Sequence, residues 1–300
     1  MNDRSFAIVG IGELLFDLLP GGKQLGGAPA NFAYHAAALG DRGLILSRVG
    51  SDALGEEIIS TLALRGLETN HLQIDAAHPT GTVQVKLDVN GQPDFTIIEN
   101  TAWDNFEWTE DWEALARVAD AVCFGTLAQR TLPSRQTIQK FLPTTRSECV
   151  KIFDVNLRQS YYSEELLVQS LRSADVVKLN DQEIQVVKNI LALSGSSEEE
   201  LARDLLNKFA LDLVCVTRGA RGSLFVTAKQ QTEHPGFPVA VADAVGAGDA
   251  FTAALAHHYL RGSPLELMSE AANLLGSWVA SQVGAMPPKD PEVIRRVRGE

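Results

Sequence analysis

Residues 243–251, DAVGAGDAF, carry the strongest chemical signal in this 300-residue chain. Gly246 and Gly248 flank Ala247, so the backbone can turn tightly and point successive N–H groups at one spot. The small, apolar run TAALAHHYL follows, and a helix beginning near Gly248 would add its positive end. Together these make an anion cradle. Asp249 stands at its lip, where amides and a helix N-terminus favour an ionised carboxylate at neutral pH. A fixed carboxylate beside bound phosphate is what phosphoryl transfer uses to take a proton from an attacking hydroxyl. Alone, the same four residues, Gly246 to Asp249, would also suit a plain loop with a helix cap.

A second glycine-rich stretch, GGKQLGGAPANFAYHAAALG, puts Gly26 and Gly27 just before a helix whose early turn carries Asn31. Backbone can approach a ligand closely at Gly27, and Asn31 can both donate to and accept from vicinal hydroxyls. The alanine-rich body of that helix is read as packing. Other phosphate-binding motifs are missing. No GxxxxGK[ST] occurs, and GIGELL has Leu15 where a dinucleotide fingerprint wants its third glycine, so a nicotinamide oxidoreductase is a remote alternative. Gly10 and Gly12 are expected to end the first strand. Protein-kinase catalytic-loop and DFG segments are also lacking.

Composition sets the outer limits. With 45% hydrophobic and 21% charged residues the chain can build a sizeable core. Lys+Arg 26 against Asp+Glu 38 gives a net charge of -12, which repels a nucleic-acid backbone but leaves room for an anion held by local amides. Cys123, Cys149 and Cys215 are odd in number and far apart, which indicates buried reduced thiols rather than disulfides or a zinc site. Glu13 and Asp17 interrupt the apolar N-terminal stretch, and no run approaches the roughly 20 apolar residues of a membrane span. A cytoplasmic protein with no membrane partner is expected.

The elements that must position these residues follow from pattern. Short β-branched runs at 5–11, 43–49, 120–125, 150–155, 175–179, 212–217 and 222–228 alternate with amphipathic segments near 28–39, 52–65, 132–142, 164–172, 181–193 and 197–209. That rhythm predicts an α/β fold, a parallel sheet covered by helices on both faces. Gly40 and Gly66 close the first two helices. A serine of SSEEE, residues 196–200, is expected to cap the helix that this segment starts. In SPLE, Ser263 is expected to cap a last long helix with Glu266 in a capping box, running to about Gly284. His257 and His258 read as core or surface residues. Residues 82–89 alternate strictly between apolar and polar, and Asn90-Gly91 suits a tight hairpin returning through DFTII. This two-faced hairpin is either a flap outside the main layer, joined by ELLFDLL, or an edge meander of the main sheet.

The combination of GGAPANFAYHAAALG near the start and DAVGAGDAF near the end resembles the two signatures of the ribokinase-like (PfkB) carbohydrate kinases. GSDALG, FDVNLR, KLNDQE and TRGARG between them resemble the family's internal landmarks, so the resemblance spans essentially the whole chain. It implies one ribokinase-like domain over 1–300, a three-layer sandwich with a mainly parallel central sheet. A small antiparallel β-lid would come from segments of about 13–25 and 82–100. By this resemblance Asp249 is the catalytic base, and the amides of Gly246, Ala247 and Gly248 hold the transferring phosphate. Thr217, Gly219 and Gly222 line the nucleotide, with Asn273 near the adenine. Asn180 and Glu183 match an N-x-x-E element that helps place magnesium and phosphates, and Asp17, Gly27 and Asn31 match contacts to sugar hydroxyls. Many members bind an activating potassium ion; the matching positions are Asp243, Val245, Val279, Gln282 and Gly284. Ala244 and Val245 stand where the family usually has two threonines.

The resemblance thus implies ATP-dependent phosphorylation of a sugar hydroxyl, with ATP and Mg2+, and K+ as a further ion. GELLFDLLP and GGAPAN look most like fructokinases. The first fifty residues hold few basic side chains, which disfavours a sugar-phosphate acceptor. A 2-keto-3-deoxygluconate kinase, where Arg158 would serve a carboxylate, or a ribokinase is the near alternative. A nucleotide- or sugar-binding sensor without turnover is the reading from another class, and the intact Asp249 speaks against it. Trp103 could stack on a sugar or anchor the lid base, Asp154 and Asn156 could simply end a strand, and the hairpin face could pair lids in a homodimer.

Overall fold

The computed structural model describes residues 4–19, 21–87 and 93–300. An eight-stranded sheet runs through it in the order Gln231–His234, Ser223–Val226, Leu213–Thr217, Val176–Asn180, Val150–Asp154, Ala121–Phe124, Ala7–Ile11, Arg42–Leu46. The six strands from Leu213–Thr217 onward are parallel, and the two at the other edge are antiparallel. These strands lack hydrophobic alternation because both faces are covered. Val176, Leu213 and Cys215 pack on the helices Ala28–Ala38, Ala247–Leu260 and Leu265–Ala280. Their chain neighbours Val177, Val214 and Val216 join the opposite cluster with residues of Leu132–Thr144, Glu164–Ser173, Asp181–Leu191 and Glu198–Phe209. This is the three-layer α/β sandwich that sequence pattern predicts.

A separate four-stranded sheet has the order Gly22–Gly26, Leu15–Leu19, Gly81–Leu87, Pro93–Ile97. Its outer pairs are antiparallel, with Val83 opposite Ile97, while Leu15–Leu19 and Gly81–Leu87 run parallel. The hairpin is therefore a lid outside the main layer, tied to it by ELLFDLL, and not an edge meander. Its Asn90-Gly91 turn lies outside the described residues. Trp103, fully buried at the lid base, packs 3.9 Å beneath the Arg130 guanidinium, which also pairs with Asp104. It anchors the lid and cannot stack on a sugar.

Several local expectations meet competition. Gly40 and Gly66 do take positive φ after their helices, and Ser197 accepts from Glu200 N at 3.2 Å. Ser263 does not cap its helix, because its hydroxyl meets Nδ1 of buried His258 at 2.9 Å; Pro264 takes the cap position without a side-chain bond. That helix ends at Ala280, and the chain turns on to Gly284. The helices Glu110–Ala116 and Pro291–Arg298 and the strand Gln231–His234 are not among the predicted elements, although Pro291–Arg298 turns Val293, Ile294 and Val297 to the core. His257 and His258 are core residues, the former bonded to Asp41 at 2.6 Å. All three cysteines are buried and free. Among the described residues no helix is long and apolar enough to cross a membrane.

Candidate active site

The parallel strands deliver their C-terminal ends to one crevice, the place where open α/β sheets bind ligands. Asp154, Asn180 and Thr217 are the last residues of three strands, and Glu13 and Thr126 follow two others closely. Against these ends lie Gly27 and Asn31, at the start of Ala28–Ala38, and residues 243–249, which lead into Ala247–Leu260. A cleft of ≈ 660 Å³ is lined by Glu13, Asp17, Gly27, Asn31, Arg158 and Asp249, among others. A neighbouring, more apolar cavity of ≈ 460 Å³ is lined by Thr217, Gly219, Gly222, Phe251, Asn273 and Gly276, among others. The two share Thr217, Gly219, Ala244 and Gly248, so the cradle stands at their junction.

Gly246 caps the helix with φ 78°, a left-handed conformation that suits glycine. A β-carbon there would lie 2.5 Å from that of Ala285, so the turn also depends on the chain packed behind it. Asp249, in the helix's first turn, accepts from Asn31 Nδ2 at 2.7 Å, which joins the two glycine-rich segments across 218 positions. Burial, then the nearby Asp154 carboxylate, pushes Asp249 up to about 6 despite the Asn31 bond and Lys178. The cradle therefore does not hold the acid low. It remains largely ionised at neutral pH yet is a much better base than an exposed aspartate.

Lys178 is buried on the middle of three parallel strands and meets both oxygens of Asp154 at 3.1 Å. Strand register explains the pair, since Asp154 and Lys178 are directly opposite. Thr252 Oγ1 lies 3.0 Å from Asp154 Oδ2, and a β-carbon on Gly248 would come within 3.0 Å of Lys178 Nζ. A fixed cation thus stands against the cradle of an acidic protein. Asp154 does more than end a strand.

Asn180 and Glu183 form a capping box: Asn180 Oδ1 accepts from the amides of Gln182 and Glu183, and Glu183 Oε2 accepts from Asn180 N at 2.8 Å. Glu183 Oε1 accepts from Leu157 N at 2.9 Å, so both its oxygens are engaged. Asp243 clasps two segments, accepting from Val245 N at 3.0 Å and Gly284 N at 3.2 Å. The carbonyl of Val279 accepts from Gln282 N at 2.9 Å. Asp17 projects from the lid strand Leu15–Leu19, raised by burial, and a β-carbon on Gly27 would lie 2.5 Å from Glu13 O. Asn273 Nδ2 donates to Ser223 Oγ and Ser269 O, both at 2.7 Å, which fixes its side chain at the wall of the apolar cavity.

Every expected site residue except Val279, Gln282 and Gly284 of the ion loop thus has a place in one of the two cavities or the cradle, and Gly284 is tied to it through Asp243. Glu13, Asp154, Lys178 and Thr252 were missed. Lys178 had a usable signal, because a charge inside DVVKLN, a strand covered on both faces, needs a buried partner.

The pfkB family carbohydrate kinase profile matches residues 21–292. A fructokinase of Klebsiella pneumoniae is 33% identical over 257 residues, covering 82% of this chain and 81% of that protein. The crystal structure of a sugar kinase from Pyrococcus horikoshii in complex with ATP superposes with a TM-score of 0.82 at 28% identity, covering 97% of this chain and 99% of the other. A fructokinase from Vibrio cholerae O395 with fructose, ADP and calcium ion bound gives a TM-score of 0.82 at 26% identity, covering 99% of both chains. With this match over most of its length, the chain belongs to the pfkB family of carbohydrate kinases.

Proposed function

We propose that this protein is an ATP-dependent kinase of an uncharged hexose, with fructose the first candidate, and that Asp249 is its general base. One observation carries the reading: Asp249 stands on the cradle at the junction of an apolar and a polar cavity, bonded to Asn31 from the acceptor side. Purine and ribose occupy the apolar cavity along Thr217, Gly219, Gly222 and Asn273. The phosphates reach the amides of Gly246, Ala247 and Gly248, and Lys178 adds positive charge at the same point. In the polar cleft, Asp17 and Asn31 read the sugar hydroxyls. Among the described residues Asn31 Oδ1 is buried with no partner, which leaves an acceptor for a sugar hydroxyl.

Asp249 takes the proton of the attacking hydroxyl as its oxygen bonds to the γ-phosphorus and the β–γ bridge breaks to release ADP. Base catalysis of this kind contributes roughly 10²–10⁴-fold. The lid lowers Asp17 and Val83 over the cleft and limits water as a competing acceptor.

The donor set fits a hydrated divalent ion arriving with the nucleotide. Among the described residues no group of three or more His, Cys, Asp or Glu forms a metal cage, and both Glu183 oxygens are occupied by amides. Mg2+ typically keeps several waters and takes most other ligands from phosphate, so Asn180 and Glu183 would hold it through water. When bound, it supplies charge neutralisation on the phosphates. A potassium ion would sit at the loop clasped by Asp243, on backbone oxygens there.

Arg158 keeps a second reading in view. It is exposed at the cleft, donates to Leu157 O, and could pair with the carboxylate of a 2-keto-3-deoxy sugar acid. An ADP-release panel with ATP and Mg2+ over fructose, ribose, 2-keto-3-deoxygluconate and fructose 6-phosphate separates these. Fructose is expected to give the highest kcat/KM. Preference for the sugar acid would transfer the assignment to it, and no turnover would favour a binding protein.

A further inference from the structure

Glu13 is a buried acid with no task in the mechanism above. It lies two residues beyond the first strand and is 7% exposed. Its carboxylate accepts from its own backbone amide and, in a long bond of 3.3 Å, from Ala28 N at the start of Ala28–Ala38. Behind the acceptor cleft is a small cavity of ≈ 20 Å³, room for about one water. Three carboxylates line it, those of Glu13, Asp154 and Asp249, with Thr126, Asn156 and Thr252 supplying polar atoms. Asp154 is committed to Lys178 and Thr252. Glu13 is therefore the carboxylate near Asp249 with unused acceptor capacity, and it also borders the open cleft.

We propose that Glu13 is the second station of a proton relay: the proton taken by Asp249 passes through one water in this cavity to the Glu13 carboxylate. The balance is simple. The acceptor O–H proton goes to Asp249 during transfer. Asp249 then gives a proton to the water, which gives one to Glu13, leaving Asp249 ionised and Glu13 neutral. Glu13 releases its proton through the cleft once the sugar phosphate has left. The groups acting on it favour this direction: burial, opposed by amide bonds and with the Asp249 charge adding to it, lifts Glu13 to about 7, above Asp249 at about 6, while Arg158 pulls the other way. Lys178, paired with Asp154, also faces Asp249 from beside the cradle and pulls it down.

The inference rests on the kinase reading, and its test keeps the two apart. Glu13→Gln preserves shape and the acceptor for Ala28 N. Its first turnover in quench flow is expected within threefold of wild type while steady-state kcat falls about tenfold, exposing a burst. The ionisation near 7 disappears from the kcat profile, and Glu13→Asp restores it. Equal slowing of both phases with both ionisations kept would overturn the relay in favour of a packing role, as would unchanged kinetics. Should Glu13→Gln fail to fold, a wild-type proton inventory decides, a curved dependence on deuterium fraction supporting the relay and a linear one opposing it. Carboxyl titration by 13C NMR without sugar is independent of turnover. Glu13 titrating near 7, and lower in Asp249→Asn, is expected; an ordinary value insensitive to Asp249 would sink the pairing. Absence of turnover with any sugar would remove the kinase reading and the relay with it, even if the titration shows coupling.

Discussion

Asp249→Asn separates catalysis from stability, because the two respond in opposite directions. Asp249 is raised from 3.8 to about 6 by burial and the Asp154 charge. Below pH 3.8 folded and unfolded chains both carry the proton, and the residue is neutral to stability. Between 3.8 and about 6 the unfolded chain ionises first, so stability falls as pH rises. Above about 6 the full cost remains, and the rise from 3.8 to about 6 corresponds to about 3 kcal/mol. Asparagine keeps the size and can still accept from Asn31 Nδ2, without a charge to bury. Its melting temperature should therefore exceed wild type at pH 8 by about 6 °C, at ~2 °C per kcal/mol for a chain of this size, and match it near pH 4. Scanning calorimetry at both pH values, with circular dichroism as a check on fold, measures the difference. In the same preparation kcat should drop by about 10²–10⁴-fold while nucleotide binding survives. A variant less stable than wild type at pH 8, or an equal gain at both pH values, would refute the electrostatic reasoning. Near-wild-type turnover would remove Asp249 as the base.

Three further outcomes follow from the same geometry. Because the proposed base acts in its ionised form, wild-type kcat should fall as pH drops through about 6; an acid limb near 4 would mean that the carboxylate is not buried during turnover. Asn31→Ala deletes a bond that favours the ionised acid, so the acid limb should move to higher pH and the sugar KM should rise, whereas a change in nucleotide affinity alone would place Asn31 elsewhere. Gly246→Ala meets both a left-handed φ and Ala285, and should cost about 1–3 kcal/mol of stability with at least a tenfold loss of kcat; an active, fully stable variant would show that the cradle tolerates a side chain.

Much of this design is legible in the linear chain because it resides in local signals. The apolar runs announce strands covered on both faces, glycines close helices, and the alternation read over 82–89 predicts a two-faced hairpin that the parallel layer cannot house. The cradle was readable from DAVGAGDAF, since tight turns and helix starts are set within a few residues. What escaped depends on distant partners. Ser263 looks like a cap until His258 claims its hydroxyl. Nothing near Glu13 or Thr252 in sequence shows that sheet and helix bring both to the cavity beside Asp249. Asp154 and Lys178 acquire meaning through strand register, and Asp249's strength as a base comes from burial that its neighbours in sequence do not reveal. The N-x-x-E element is a subtler case, for the same atoms that suggest a metal site are spent on capping a helix.

The central claim is transfer of a phosphoryl group to a sugar hydroxyl by Asp249 at the cradle. 31P NMR of the protein with ATP, Mg2+ and fructose tests it most directly. A sugar-phosphate resonance growing in step with ADP for wild type, and suppressed at least 100-fold in Asp249→Asn, is expected. ADP appearing with inorganic phosphate alone, or the same product at the same rate from both proteins, would contradict it.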